Sequence, residues 1–120
     1  MKKKVLVVDD EAGIVKLLSI RLKALGYDVY KAFDGLECIK IAVKEIPDLI
    51  LLDIKMPQGS GIDAFEKLKR TDKIKNIPVI FMTAYHTFEL NTKVLKMGAK
   101  ECISKPFIGN SIYQTIGKYV

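Results

Sequence analysis

Asp9 and Asp10 follow the apolar run Val5-Leu6-Val7-Val8, Asp53 follows Leu49-Ile50-Leu51-Leu52, Thr83 and Ala84 follow Val79-Ile80-Phe81-Met82, and Lys105 and Pro106 follow a shorter stretch ending near Ser104. Each of these polar residues stands where a strand-like run stops. Carboxylates brought together repel one another, and a hard divalent cation is the usual means of keeping several ionised in one place. Mg²⁺ suits such a set, because it takes oxygen ligands, keeps several waters and works beside phosphates. A hydroxyl on Thr83 and an ammonium on Lys105 are donors that can stabilise charge on a transferring phosphoryl group. An aspartate can itself be the nucleophile and form an acyl phosphate. Asp53 stands alone at its strand end and is the nucleophile candidate, with Asp9 and Asp10 as the metal-side pair. Taken singly, each has a plainer reading: a turn residue, a helix N-cap, an acid favouring a first helical turn in the case of Glu11, or an ordinary Lys-Pro turn. Five polar residues at four strand ends are what favour a site.

The elements that must position them follow from the hydrophobic pattern. Continuous apolar runs rich in Val, Ile and Leu read as strands buried on both faces. Between the first two runs, Ile14, Leu17, Leu18, Leu22 and Leu25 have helical spacing and Gly26 supplies a stop. Asp28 to Ala32 alternates as a strand, Asp34 is placed to cap a helix carrying Leu36, Ile39, Ala42 and Val43, and Pro47 ends it. Gly61 opens a helix with Ile62, Phe65 and Leu68; another runs through Leu90, Val94, Leu95 and Met97 to Gly98. A last strand is expected near Lys100 to Ser104 and a last helix from about Ile108 to Tyr119, with Ile112, Tyr113 and Ile116 facing inward. Strand and helix alternate five times without linker or repeat, which predicts an α/β parallel sheet covered by helices on both faces. In such sheets ligands bind beyond the carboxyl ends of the strands, where the polar residues above are found. Lys105 is the one cationic side chain expected at that rim, and the bond to Pro106 is a candidate for the cis form.

Composition narrows the function. A chain of 120 residues with 49% hydrophobic and 28% charged residues is expected to be one packed domain, residues 1–120. No apolar stretch is long enough for a membrane span, and Lys2-Lys3-Lys4 leads into only a short apolar run, which argues against a signal peptide and for the cytoplasm. Cys38 and Cys102 form no CxxC pair and read as reduced thiols. The net charge of +6 invites a nucleic-acid reading, but the basic residues are lysines except for Arg21 and Arg70, whereas base readout favours clustered arginine. Acidic protein partners fit that charge better than direct nucleic-acid contact.

Val7-Val8-Asp9-Asp10-Glu11, Leu51-Leu52-Asp53-Ile54-Lys55-Met56-Pro57 with Gly61 beyond it, Met82-Thr83-Ala84-Tyr85, Gly98-Ala99 and Lys105-Pro106-Phe107 together resemble the receiver domain of two-component response regulators. The resemblance runs from Lys3 to Tyr119. It implies a flavodoxin-like, doubly wound five-stranded parallel sheet in the order 2-1-3-4-5 with five helices. It also implies that Asp53 accepts a phosphoryl group from the phosphohistidine of a sensor histidine kinase or phosphotransfer protein. Asp10, Asp53 and the backbone carbonyl of Lys55 would ligate Mg²⁺, Asp9 would act mainly through metal-bound water, and Thr83 and Lys105 would hold the phosphoryl oxygens. The chain would then be a signalling phosphoacceptor and not a turnover enzyme, passing its state to a downstream protein target through changed binding.

Two departures bear on the readout. Receivers commonly carry Tyr or Phe three residues before the lysine, an aromatic that swings inward; Cys102 stands there and is expected to be a small buried hydrophobe. Tyr85, two residues beyond Thr83, becomes a candidate for gating or partner contact, and His86 is left on the surface. From Ile108 to Val120 the only charge is Lys118, unlike receivers that pair through charged last helices, so a monomer is expected, with a dimer left open. The sequence stops at Val120, which suggests a stand-alone receiver of the chemotaxis or phosphorelay-intermediate type; the alternative is the receiver of a longer DNA-binding regulator. A dinucleotide site is suggested by the GxGxxA match Gly59 to Ala64, but the turn after Asp53 is too long for a tight phosphate cradle. An aspartyl phosphatase would want an acid two residues after the nucleophile, where this chain has Lys55.

Overall fold

The computed structural model describes residues 2–56, 60–105 and 111–120. Five strands, β1 (Lys4–Val8), β2 (Asp28–Ala32), β3 (Leu49–Asp53), β4 (Val79–Thr83) and β5 (Glu101–Ser104), alternate with α1 (Ala12–Ala24), α2 (Gly35–Glu45), α3 (Gly61–Lys69), α4 (Phe88–Lys96) and α5 (Ser111–Tyr119). All strand pairs are parallel and the sheet order is β2-β1-β3-β4-β5, the flavodoxin-like arrangement with β3 at its centre.

The apolar runs serve two faces at once. Because successive side chains on a strand point to opposite sides, Leu6, Val8, Ile50, Leu52, Val79 and Phe81 pack toward α2, α3 and α4. Val5, Val7, Leu49, Leu51, Ile80 and Met82 pack toward α1 and α5, where Ile112 and Ile116 meet them as expected. Phe81 also meets Phe65 edge to face, with ring centroids 5.3 Å apart. A one-residue slip of any central strand would exchange its two faces and undo both layers.

Helix ends are set by local chemistry. Asp34 accepts the Glu37 amide at 2.8 Å and caps α2. That helix ends at Ile46, which takes the left-handed conformation (φ 47°) immediately before Pro47. Gly26 (φ 98°) and Gly98 (φ 111°) sit just past the ends of α1 and α4. There the amides of Gly26 and Tyr27 bond back to Lys23 and Leu22, and those of Gly98 and Ala99 to Leu95 and Val94. These are paired closing bonds that need a residue at positive φ, which glycine adopts without strain.

Several expectations from spacing need correction. Leu17, Leu25, Leu36 and Leu95 are exposed. The inward stripe of α1 runs through Val15, Leu18, Ser19 and Leu22; Leu17 lies off that stripe, and Leu25 is the C-cap, past the last helical residue. β5 begins at Glu101 and not at Lys100, and Cys102 is only half-buried because β5 is an edge strand. Neither Asp9 nor Asp10 is the N-cap of α1; Glu11 is, without a side-chain cap bond. The start of the last helix near Ile108, the Lys105–Pro106 bond, Pro57, Gly59 and Phe107 lie outside the described residues.

Candidate functional site

The ends of β1, β3, β4 and β5 bring four of the five singled-out polar residues together and place the fifth beside them. Asp9 and Asp53 are fully or nearly buried, Asp10 is exposed, and all three offer carboxylate oxygens that lie within 4.8 Å of one another. Lys105 reaches in from the end of β5, its Nζ 2.7 Å from Asp9 Oδ2, 3.2 Å from Asp53 Oδ1 and 3.5 Å from Glu11 Oε1. Its side chain is 8% exposed, so the pairs with Asp9 and Asp53 are shielded from solvent, whereas Glu11 itself is exposed. The second oxygen of Asp9 accepts the Glu11 amide at 3.0 Å, which fixes the carboxylate's orientation.

Thr83 ends β4, next to Asp53 across the sheet: Asp53 pairs in register with Met82, and the Ile54 amide bonds to the Met82 carbonyl. The Lys105 amide donates to the Thr83 carbonyl at 2.8 Å, tying the end of β5 to that of β4. The Thr83 hydroxyl accepts the Tyr85 amide at 3.0 Å and is buried. Tyr85 itself is 67% exposed, with the Lys55 ammonium 4.5 Å from its ring centroid. This cation–π contact joins the loop after β3 to the loop after β4. His86 is exposed, as expected.

Gly61 is required by close packing. Its amide donates to the Ile54 carbonyl at 2.7 Å, and a Cβ at this position would run into the Asp53 carbonyl. The neighbouring Ser60 and Asp63 exchange side-chain-to-amide bonds, both 3.2 Å, in a capping box. The segment that resembled a phosphate cradle thus starts a helix.

Burial has an electrostatic consequence. Withdrawal from water, then the neighbouring Asp9 charge, push the Asp53 carboxyl from 3.8 up to about 6, against the pull of Lys105. Burial alone would lower the Lys105 ammonium, but its hydrogen bond to Asp9 and the charges of Asp53 and Asp9 outweigh this and raise it. The lysine is held charged in a pocket with more negative than positive groups. An all-oxygen, partly desolvated donor set open to solvent at Asp10 is what a hard divalent cation needs.

Sequence reasoning passed over Glu11 as a partner of Lys105 and the Lys55–Tyr85 contact. Glu11 could have been found from its place directly after the acidic pair. The ring contact depends on how two loops approach and has no signal in spacing.

The model of the response regulator receiver domain matches residues 5–117. The chain is 38% identical over 120 residues to sporulation initiation phosphotransferase F of Bacillus subtilis, covering 100% of this chain and 95% of that one. Two further relatives are longer, and this chain spans 43% of each. Among solved structures, chemotaxis protein CheY4 of Vibrio cholerae superposes with a TM-score of 0.94 at 28% identity, covering 100% of both chains. The response regulator TrrA of Thermotoga maritima, described in complex with Mg(2+)-BeF, has a TM-score of 0.86 at 31% identity and covers 98% of this chain and 99% of its own.

Proposed function

The chain belongs to the response regulator receiver domain family, and on that premise we propose that Asp53 is its phosphoacceptor, charged from the phosphohistidine of a sensor kinase or phosphotransfer protein. The observation that carries this reading is the carboxylate of Asp53 at the end of the central strand, buried, 3.2 Å from the Lys105 ammonium and grouped with Asp9 and Asp10. In the transfer, an Asp53 oxygen bonds to phosphorus as the phosphorus–nitrogen bond breaks, and the leaving imidazole keeps the electron pair. Lys105 exchanges part of its bonding to Asp53 for a phosphoryl oxygen, and the Thr83 hydroxyl donates to another. Turning toward that oxygen takes the Thr83 hydroxyl away from the Tyr85 amide, so Tyr85 and its Lys55 contact follow. With Cys102 in place of the usual aromatic, this pair is our candidate for the readout.

Asp10, Asp53 and the Lys55 carbonyl would hold Mg²⁺, with Asp9 acting through its water; the solved relative with Mg(2+)-BeF supports this choice. When bound, the cation supplies positive charge that offsets the carboxylates and the incoming phosphate. Lys55, standing where an aspartyl phosphatase would carry its acid, supports a switch over a turnover enzyme. We place the protein in the cytoplasm, as a monomer whose output is a changed affinity for a downstream protein, with no direct nucleic-acid contact; no helix among the described residues is long and apolar enough to cross a membrane. A second reading, the receiver of a longer DNA-binding regulator, is favoured by the two longer relatives, one named as a DNA-binding transcriptional regulator.

Incubation with acetyl phosphate and Mg²⁺ tests the assignment. Wild-type protein should gain the mass of one phosphoryl group and Asp53→Asn should not; equal gain in both would remove Asp53. Mg²⁺ titration should be weakened by Asp10→Ala, and unchanged affinity would remove Asp10.

A further inference from the structure

The net charge of the chain is carried by one part of its surface. Two segments, Glu66 to Pro78 and Lys93 to Lys100, hold eight lysines and arginines against two acids, Glu66 and Asp72, which equals the whole +6; the remainder of the chain balances twelve basic residues with twelve acidic ones. The fold puts these segments side by side at the amino-terminal edge of β4 and β5, the end of the sheet opposite Asp53. The Lys100 amide bonds to the Val79 carbonyl at 2.9 Å, the Lys69 Nζ donates to the Lys75 carbonyl at 3.1 Å, and Lys69 also lies along Gly98. Between the ends of α3 and α4 a shallow groove is lined by Phe65, Glu66, Lys69, Arg70 and Met97.

Basic residues in the last turn of a helix complement its macrodipole, and that explains Lys67, Lys69, Lys93 and Lys96, with Arg70 as the cap of α3. It leaves Lys73, Lys75 and Lys100, which belong to no helix and are exposed. Lys75 is partly neutralised by Asp72 at 3.4 Å; Lys73 and Lys100 have no acid facing them among the described residues.

We propose that this edge is a docking surface for an acidic segment of a partner protein. Seven of the eight cations are lysines, compact charges without the planar fork that favours phosphate and base edges. The groove between them has an apolar floor of Phe65 and Met97, a socket for a side chain flanked by carboxylates. Phe65 is 1% exposed, so no aromatic on this edge protrudes as an anchor into a lipid surface. Because the edge is remote from the aspartate cluster, a partner seated there can stay bound through phosphorylation and raise the local concentration of whatever acts on Asp53. The inference does not depend on Asp53 being the acceptor.

The test uses a fluorescent peptide of alternating glutamate and leucine, with duplex DNA and anionic vesicles as parallel probes, and the combined variant Lys73→Glu, Lys75→Glu, Lys96→Glu, Lys100→Glu. A control variant reverses Lys16 and Lys31, on α1 and β2, away from this edge. The peptide is expected to bind wild type in a salt-sensitive manner, and the edge variant to lose about tenfold or more in affinity while the control does not. Phosphorylation by acetyl phosphate should be unchanged in both variants, which separates failure of this inference from failure of the phosphoacceptor assignment. Equal loss in edge and control variants, no loss in either, or binding to DNA or vesicles that exceeds binding to the peptide would overturn the proposal.

Discussion

Replacing Asp53 by asparagine should make the metal-free protein more stable at neutral pH. The Asp53 carboxyl is pushed from 3.8 up to about 6 by burial and by the Asp9 charge, with the attraction of Lys105 already included. Its side chain is 6% exposed, so solvent screening removes little of this effect. At about 1.4 kcal/mol for each tenfold change in proton affinity, an ionised Asp53 disfavours the folded state by about 3 kcal/mol. The sign follows from proton binding: between about pH 4 and pH 6 the folded chain holds the proton more tightly than the unfolded chain, so stability falls as pH rises through that window and the full penalty stands above it. The asparagine side chain carries no charge, and its near-identical shape preserves packing at the strand end. Urea unfolding in a chelator should place Asp53→Asn above wild type by up to about 3 kcal/mol at pH 7 and close to it at pH 3.5, with a flatter dependence between. Mg²⁺ should narrow the difference at pH 7, because a ligand of the folded state stabilises wild type by mass action. A variant less stable than wild type at pH 7, or one whose pH dependence runs parallel to it, would refute the reasoning.

Other substitutions probe the same framework. Gly61→Ala forces a methyl group into the Asp53 carbonyl and should destabilise by about 3 kcal/mol in urea unfolding. Lys105→Met removes the partner of buried Asp9 and Asp53 and should cost about 3 kcal/mol at pH 7, less in an Asp53→Asn background, as thermal or urea unfolding of all four proteins would register. Ser19 buries a hydroxyl with no hydrogen-bond partner among the described residues, so Ser19→Ala is expected to be neutral or to stabilise by about 1 kcal/mol; a clear loss would mean the hydroxyl is satisfied. A double-mutant cycle of Lys55→Met and Tyr85→Leu should give a coupling of about 0.5 kcal/mol for the exposed ring contact, and zero would disconnect the two loops.

Much of this molecule was legible in the residues, for identifiable reasons. The runs at Val5, Leu49 and Val79 are apolar on both faces because helices cover both sides of the sheet, and that alone separates this architecture from one with a solvated face. Glycines at 26 and 98 marked helix ends because the closing bonds there need positive φ. The order of the strands was not in the pattern: right-handed crossovers leave several orders open, and the resemblance to receivers supplied the one observed. Helical spacing overcounted the core of α1, because Leu17 lies off the stripe that meets the sheet and Leu25 falls at the C-cap, past the helix end. At the site, strand ends located the three aspartates and Lys105, since a parallel sheet delivers every carboxyl end to one rim. Glu11 was within reach as the acid directly after Asp9 and Asp10, whereas the way Lys55 leans on Tyr85 depends on loop trajectories that no spacing encodes.

The central claim is that Asp53 carries the phosphoryl group. An acyl phosphate is reduced by borohydride to an alcohol, which turns the phosphorylated aspartate into homoserine and marks its position permanently. After treatment with acetyl phosphate and Mg²⁺, quenching with borohydride and peptide mapping, homoserine is expected at position 53 and at no other aspartate. Homoserine at position 9 or 10, or a phosphorylated protein with an unmodified Asp53, would contradict the account.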